Sequence, residues 1–272
     1  MGASQMFSLR LTITTALIFT SHSLTTQAFS IPSGFQPIVK ATGVQVYKKD
    51  LTNGKLEYVT VVNTRQGTIE NLIGAVDQTS QEKVSKKTLS TFWQDAVKQN
   101  TSARKARVVV NGAFFSTREQ PTGIAFGLQV RGNLISYGYA IGKEYPGQIR
   151  TFAFNSVLAS ANIQTYLQQT FARFPEVVGA LDVNADKYAA RYLPRTFVGV
   201  RDDNGDRTPE TVLLYSSNYA RQSDASKVLR DFGADAQAML DGGGSTGIIV
   251  DGKSLISTNR PIPHAIAIYV GK

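Results

Sequence analysis

The run Leu240-Asp241-Gly242-Gly243-Gly244-Ser245-Thr246-Gly247 constrains this chain more than any other stretch, because it joins an acid, three consecutive glycines and two hydroxyls. Glycine loses more conformational freedom on folding than any other residue, so three in a row point to a turn that needs positive φ or a close approach to a ligand. An apolar approach (Ala236, Ala238, Met239, Leu240) precedes the run, and the β-branched Ile248, Ile249 and Val250 follow it. The pattern predicts a tight connection between two strands. Successive backbone N–H groups in such a turn form an anion-binding nest, for which phosphate oxygens are a fitting ligand. The competing reading is a plain hairpin loop with a solvated Asp241.

Two motifs with known mechanics bear on the same residues. A nucleotide phosphate loop needs a Lys directly after the last Gly and then a helix, whereas Ser245, Thr246 and a strand-like run follow here. Residues 243–247 also match the G-x-S-x-G pattern of a hydrolase nucleophile elbow, with Asp251 and His264 later in the order Ser, Asp, His. An elbow must enter a helix. Residues 248–250 followed by Asp251-Gly252 read instead as a strand and a hairpin turn, so a serine hydrolase using Ser245 stands behind the other readings.

The N-terminus carries one basic residue, Arg10, then an uncharged stretch over 11–19, then polar residues ending in Thr26-Gln27-Ala28. This is the pattern of a secretory signal peptide over residues 1–28, which places the expected domain at 29–272 and the protein outside the cytoplasm, secreted or periplasmic. The apolar core is interrupted by Thr12, Thr14 and Thr15, too short and too polar to prefer spanning a bilayer. The remaining chain is long enough to bury a substantial core as one domain. Cysteine is absent, which excludes a disulfide framework and thiolate metal sites, and cleavage would leave a single histidine, a poor basis for zinc. The chain has a net charge of +9, but its clusters at Lys48-Lys49, Lys83 to Lys87 and Arg104 to Arg107 are not interleaved with aromatics, so no nucleic-acid partner is expected.

Strand-like segments are expected at 44–47, 56–62, 68–76, 107–111, 124–130, 134–141, 149–154, 177–181, 193–200, 212–215, 248–250 and 265–270, the first two joined through the hairpin signal Asn53-Gly54. Helical spacing is expected at 88–99, 160–174 and 223–232; in the second, Ile163, Tyr166, Leu167, Thr170 and Phe171 form the inner stripe before Pro175. Trp93 reads as core. The segment from Asp202 to Glu210 alternates oxygen ligands but lacks the glycine and the final acid of a calcium loop, so it reads as a hairpin loop. Many strands with about three helices, not in strict alternation, predict a single α+β domain on a mixed, largely antiparallel β-sheet.

Four segments end strands or strand approaches with unusually polar residues: Asn111-Gly112-Ala113-Phe114-Phe115, Pro121-Thr122-Gly123, Pro194-Arg195-Thr196-Phe197-Val198-Gly199, and the Asp241 stretch with Asn259-Arg260-Pro261-Ile262-Pro263-His264-Ala265 behind it. In this order, over roughly residues 107–270, they resemble the phosphodiester glycosidase family. One departure is Ala113, where the family more often has a second glycine. The resemblance implies a hydrolase of carbohydrate metabolism that cleaves between a sugar anomeric carbon and a phosphodiester oxygen, acting here on a carbohydrate phosphodiester such as an envelope polymer or exopolysaccharide.

The residue chemistry is compatible with that activity. Arg195 and Arg260 suit bidentate contacts to phosphate, supplemented by the N–H groups of Gly242, Gly243, Gly244 and Ser245. Asn111, Gly112, Gly123, Thr196 and Thr246 complete the expected substrate-binding set. Asp241 is the candidate carboxylate, as nucleophile, base or acceptor for a sugar hydroxyl; His264 is a candidate to protonate or bind the leaving phosphate, and Asp182 a second carboxylate. Each has a structural competitor: Arg195 as an ion-pair partner, Asn111 as a turn residue satisfying its own backbone, His264 as a satisfied core histidine. No cofactor is required and no dedicated metal ligands are found; a magnesium or calcium ion at the phosphate is left open. The alternative function is a non-catalytic envelope module that binds glycan or phosphate polymer through the same pocket.

Overall fold

The computed structural model describes residues 1–2, 30–77, 79 and 82–272, so the expected signal peptide lies outside the described residues apart from its first two positions. Two antiparallel sheets face each other. The larger runs, in spatial order, Gln36–Ala41, Val44–Asp50, Leu56–Asn63, Thr211–Ala220, Leu193–Arg201, Ala236–Met239, Glu176–Leu181, Ile149–Asn155 and Ser160–Thr165, with Leu128–Val130 and Asn133–Ser136 paired beside Glu176–Leu181. The smaller runs Lys253–Ile256, Ile248–Val250, Lys105–Asn111, His264–Val270 and Gly67–Ile73.

Strand alternation builds the layers. On the His264–Val270 strand, Ile266 and Ile268 point into an apolar layer shared with Val44, Val46, Val198 and Val200 of the larger sheet, while Ala265, Ala267 and Tyr269 point the other way. That outer face is covered by the Leu89–Lys98 helix through Leu89, Phe92 and Ala96, and Trp93 packs there as expected. The outer face of the larger sheet, through Phe197, Leu213 and Tyr215, is covered by Ala225, Val228 and Leu229 of the Gln222–Asp231 helix. The order helix, sheet, sheet, helix is an α+β arrangement, as expected. The Leu89–Lys98 helix starts where Thr88 accepts from the Thr91 N–H at 3.2 Å, an N-cap bond.

Several expectations are corrected. Residues 160–165 form a strand, and only Gln169–Arg173 is helical. The helical stripe from Ile163 overlaps an equally good two-residue alternation, in which Ala161 and Ile163 point inward; pairing with Ile149–Asn155 selects the strand. The hairpin arms expected at 124–130 and 134–141 are shorter, because the Ser136 hydroxyl accepts the Gly138 N–H at 3.0 Å and turns the chain out of the sheet. Gln36–Ala41, outside every strand expected from the sequence, is an edge strand. The loop from Asp202 is a hairpin loop closed by its own Asx bonds: Asp202 accepts from the Asn204, Gly205 and Arg207 N–H groups.

The strand at 160–165 makes a prediction. Ile163 is 9% exposed and Leu167 is 53% exposed, although a helix would bury both. Ile163→Ala should cost about 2–4 kcal/mol in urea unfolding and Leu167→Ala within about 0.5 kcal/mol. Comparable losses at the two positions would contradict the strand.

Candidate functional site

The candidate site forms where the end of the Ala236–Met239 strand of the larger sheet meets the end of the Lys105–Asn111 strand of the smaller one. The Leu240 N–H donates to the Thr196 carbonyl at 2.9 Å and the Asp241 N–H to the Gly112 carbonyl at 2.9 Å, so the chain leaving the larger sheet is stitched at once to the smaller one. Asn111, 1% exposed at the end of its strand, completes the stitch. Its Nδ2 donates to the Asp241 carbonyl at 2.5 Å, and its Oδ1 accepts from the Thr196 hydroxyl at 2.7 Å and the Gly247 N–H at 3.1 Å. The Thr246 hydroxyl lies 3.4 Å from that of Thr196. Asn111, Thr196 and Thr246 therefore hold the loop from behind.

The glycine run forms a single 3-10 turn, Gly243–Ser245, and then enters the Ile248–Val250 strand. The Gly242 N–H donates to the Asp241 carboxylate at 3.0 Å, the Ser245 N–H to the Gly242 carbonyl at 3.2 Å and the Thr246 N–H to the Gly243 carbonyl at 3.1 Å. The turn leaves over the N–H groups of Gly243 and Gly244, as the first turn of any helix does. A Cβ on Gly244 would lie 2.7 Å from Arg260 Nη2, so the glycine is what lets the guanidinium lie against the loop. Arg260 Nη1 donates to the Ser245 hydroxyl at 3.4 Å, and the Thr258 hydroxyl donates to the Gly244 carbonyl, holding the Arg260 segment in place.

Asp241 itself is partly buried. Burial pushes its carboxyl up to about 6, against the lowering effects of hydrogen bonds from Ser245 and the Gly242 N–H and of the charges of Arg260 and Lys187. An acid that titrates near 6 beside two leftover N–H groups and a guanidinium pairs a carboxylate with an anion cradle.

The other expected residues are placed differently. Thr196 points between the sheets, so its neighbour Arg195 must point to the opposite face. There, at 3% exposure, its guanidinium donates to the carbonyls of Ala220, Lys187, Tyr188 and Arg191 at 2.7–3.3 Å. Arg195 is thus neither a phosphate clamp nor an ion-pair partner; it braces the loop after the Glu176–Leu181 strand. Asp182 bonds with Arg150 and accepts the Asn184 N–H at 2.8 Å. His264 is buried between the sheets: Nδ1 accepts from the Ala113 N–H at 3.0 Å, which puts the proton on Nε2, facing Asn71 Oδ1 at 3.0 Å. Asn71 passes the connection to the larger sheet by donating to the Gln129 carbonyl at 3.1 Å. Gly112 is the close-approach position here, since a Cβ would sit 2.2 Å from His264 Nδ1. With both ring nitrogens engaged and the imidazole pushed down to about 3 by burial, His264 has no proton to give a leaving group. It is equally unable to act as base for Ser245, which leaves the elbow reading without its histidine.

Two residues at the site were not singled out from the sequence. Lys187 sits in the loop that Arg195 braces, its ammonium 5.7 Å over the Phe114 ring and 5.4 Å over that of Tyr145, and its charge lowers the Asp241 carboxyl. Tyr139, on the far side of Gly123, is close enough for Asp241 to help raise its phenol. Neither stands in a motif; only the aromatics of Asn-Gly-x-Phe-Phe hinted at a cation's seat. Among the described residues no three acidic or histidine side chains converge as a metal would need.

The sequence model of the family described as phosphodiester glycosidase matches residues 104–269. No curated protein matches the chain significantly. Among solved structures, a hypothetical protein from Synechocystis superposes with a TM-score of 0.61 at 12% identity, covering 88% of this chain and 69% of its own. The catalytic domain of zebrafish N-acetylglucosamine-1-phosphodiester α-N-acetylglucosaminidase, solved auto-inhibited by its pro-peptide, gives 0.58 at 16% identity, covering 90% and 87%. At these identities the likeness is one of fold.

The structural role of His264 is testable by its titration. Its folded value lies below the unfolded value of about 6.5, so the unfolded chain takes up the proton first. The stability contributed by the neutral ring is complete above about pH 6.5 and falls by up to about 1.4 kcal/mol per pH unit as pH drops toward the folded value. In imidazole NMR spectra the ring should stay neutral and Nε2-protonated from pH 8 to pH 5. A midpoint near 6.5 would return it to the list of exchangeable acids.

Proposed function

Because the chain belongs to the phosphodiester glycosidase family, we propose that it hydrolyses the bond between a sugar anomeric carbon and a phosphodiester oxygen at the Asp241 site. The observation that carries this reading is the juxtaposition of the Asp241 carboxylate with the leftover N–H groups of Gly243 and Gly244 and with Arg260. The cradle holds the phosphate, and the carboxylate faces the anomeric carbon, where positive charge develops as the C–O bond breaks. Water supplies a hydroxyl to that carbon and a proton to the solution or the phosphate; the products are a free sugar and a phosphomonoester. Phosphate leaves readily as an anion, so the absence of a proton on His264 Nδ1 is no obstacle. Lys187 adds a second positive charge on the Asp241 side and favours an anionic substrate. The signal-like sequence of residues 1–28 supports action outside the cytoplasm, on a polymer or conjugate of the envelope.

The first donor to test is an N-acetylglucosamine-α-1-phosphodiester, followed by glucosyl, galactosyl and mannosyl analogues. The protein should release free sugar, and Asp241→Asn should lower kcat/KM by roughly 10²–10⁴-fold; release unchanged by that substitution would remove Asp241 from the chemistry. Since Asp241 acts as a carboxylate, kcat/KM should fall as pH drops through about 6. Arg260→Gln takes away a charge that lowers the Asp241 value, so that limb should move to higher pH. Saturable binding of all donors without turnover would favour the non-catalytic module instead.

A further inference from the structure

A cavity of about 350 Å³ is lined by Tyr139 together with Glu82, Lys83, Ser116, Glu119, Gly123 and Ser136. Its volume is at the lower end of the roughly 300–1,000 Å³ of small-molecule sites. It is joined to the Asp241 site by one stretch of chain. The Gly112 carbonyl receives the Asp241 N–H, and four residues later the Ser116 N–H donates to the Gly123 carbonyl at 3.2 Å on the cavity wall. Four residues span at most about 14 Å, and the Asp241 charge helps raise the Tyr139 phenol, so the cavity lies close to the carboxylate.

The lining is chemically specific. Tyr139 is 44% exposed, and its Cδ1 would lie 3.1 Å from a Cβ on Gly123, so the ring lies directly over bare backbone with part of its surface free. Its phenol is raised by burial and by the charges of Glu144, Glu119 and Asp241, which keeps it a neutral hydroxyl donor. Glu119 is held ionised by Lys83, whose ammonium is 3.0 Å away, and its Oε1 lies 3.5 Å from the Ser116 hydroxyl. Lys83 and Glu119 neutralise each other, and Glu82 and the nearby Lys86 add one charge of each sign, so the cavity has no net positive charge to hold a second phosphate. An aromatic surface bordered by a carboxylate, an ammonium and two serine hydroxyls suits a neutral polyol ring, which offers apolar C–H faces and an array of donors and acceptors.

We infer that this cavity is a saccharide subsite on the sugar side of the scissile bond, and that the substrate is an oligosaccharyl rather than a monosaccharyl phosphodiester. The assignment of a side rests on the glycosidase reading of the Asp241 site; the cavity's ligand class does not. Tyr139 supplies the platform and Glu119 accepts from ring hydroxyls.

Two measurements test it. In calorimetry with the Asp241→Asn protein, gluco-, N-acetylgluco-, galacto- and mannotetraose are titrated alongside the corresponding monosaccharides. At least one tetrasaccharide should bind at least tenfold more tightly than its monosaccharide, and Tyr139→Ala or Glu119→Gln added to the protein should weaken that binding tenfold or more. Both residues are exposed enough for the variants to fold, which circular dichroism would check. Binding of no tetrasaccharide, or binding indifferent to both substitutions, overturns the subsite. In kinetics, the ratio of kcat/KM for tetrasaccharyl over monosaccharyl phosphodiester should be about ten or more and collapse toward one in Tyr139→Ala. A ratio near one in the unsubstituted protein, with hydrolysis intact, overturns the inference and leaves the glycosidase reading standing. Hydrolysis of no donor with Tyr139-dependent tetrasaccharide binding intact supports the subsite and overturns the glycosidase reading.

Discussion

The side-chain amide of Asn111 is the tie on which the rest of the site depends. It is buried at the end of the smaller sheet, and its three hydrogen bonds reach the Asp241 carbonyl, the Thr196 hydroxyl of the larger sheet and the Gly247 N–H at the far end of the glycine run. A hydrogen bond of this kind contributes only about 0.5–1.5 kcal/mol net, but each buried partner left unmade costs about 1–3 kcal/mol. Losing the amide would strand three groups at once. The consequence is geometric as well as energetic: without the tie, the Asp241 stretch keeps the backbone bonds of Leu240 and Asp241 at its start and the Thr258 and Arg260 contacts at its turn, but loses the one group that joins its two ends.

Around that tie, the charged and titratable groups divide into framework and surface. Arg195, expected on the phosphate, and His264, expected to protonate or bind it, are framework in the fold. The arginine satisfies four carbonyls and thereby fixes the loop that carries Lys187; the histidine bridges the Ala113 N–H and Asn71 within the smaller sheet, and Asn71 goes on to the Gln129 carbonyl of the larger one. Buried charge without a counter-ion is expensive, and Arg195 is tolerable only because four carbonyl dipoles replace its hydration. Asp241, Arg260, Lys187 and the leftover N–H groups are what remains facing outward. The framework residues thus act on substrate only through the positions they enforce.

Much of the architecture was legible because alternate side chains of most strands face the layer between the sheets. The two-residue alternation that built the strand expectations also placed the inter-sheet layer, and the Thr88 cap and the apolar stripe placed the Leu89–Lys98 helix. The same rule explains what was misread. Arg195 and Thr196 are adjacent on a strand and cannot both face the site, a restriction that naming motif residues together conceals. Residues 160–165 carried two periods at once, and only the neighbouring strand decided between them. Lys187 and Tyr139 were invisible for a different reason: they come from loops whose course is set by Arg195 and Ser136, contacts that no local pattern announces. The Asp241 stretch was legible because three glycines beside an acid have few other uses, and its expected nest is narrower in the fold, two N–H groups where four were anticipated.

The most direct test of this account is a crystal structure of the Asp241→Asn protein with a sugar-1-phosphodiester bound. Phosphate oxygens should lie on the N–H groups of Gly243 and Gly244 and on Arg260, with the anomeric carbon facing the residue 241 side chain. A phosphodiester seated elsewhere, with those N–H groups left to solvent and the anomeric carbon turned away from residue 241, would contradict it.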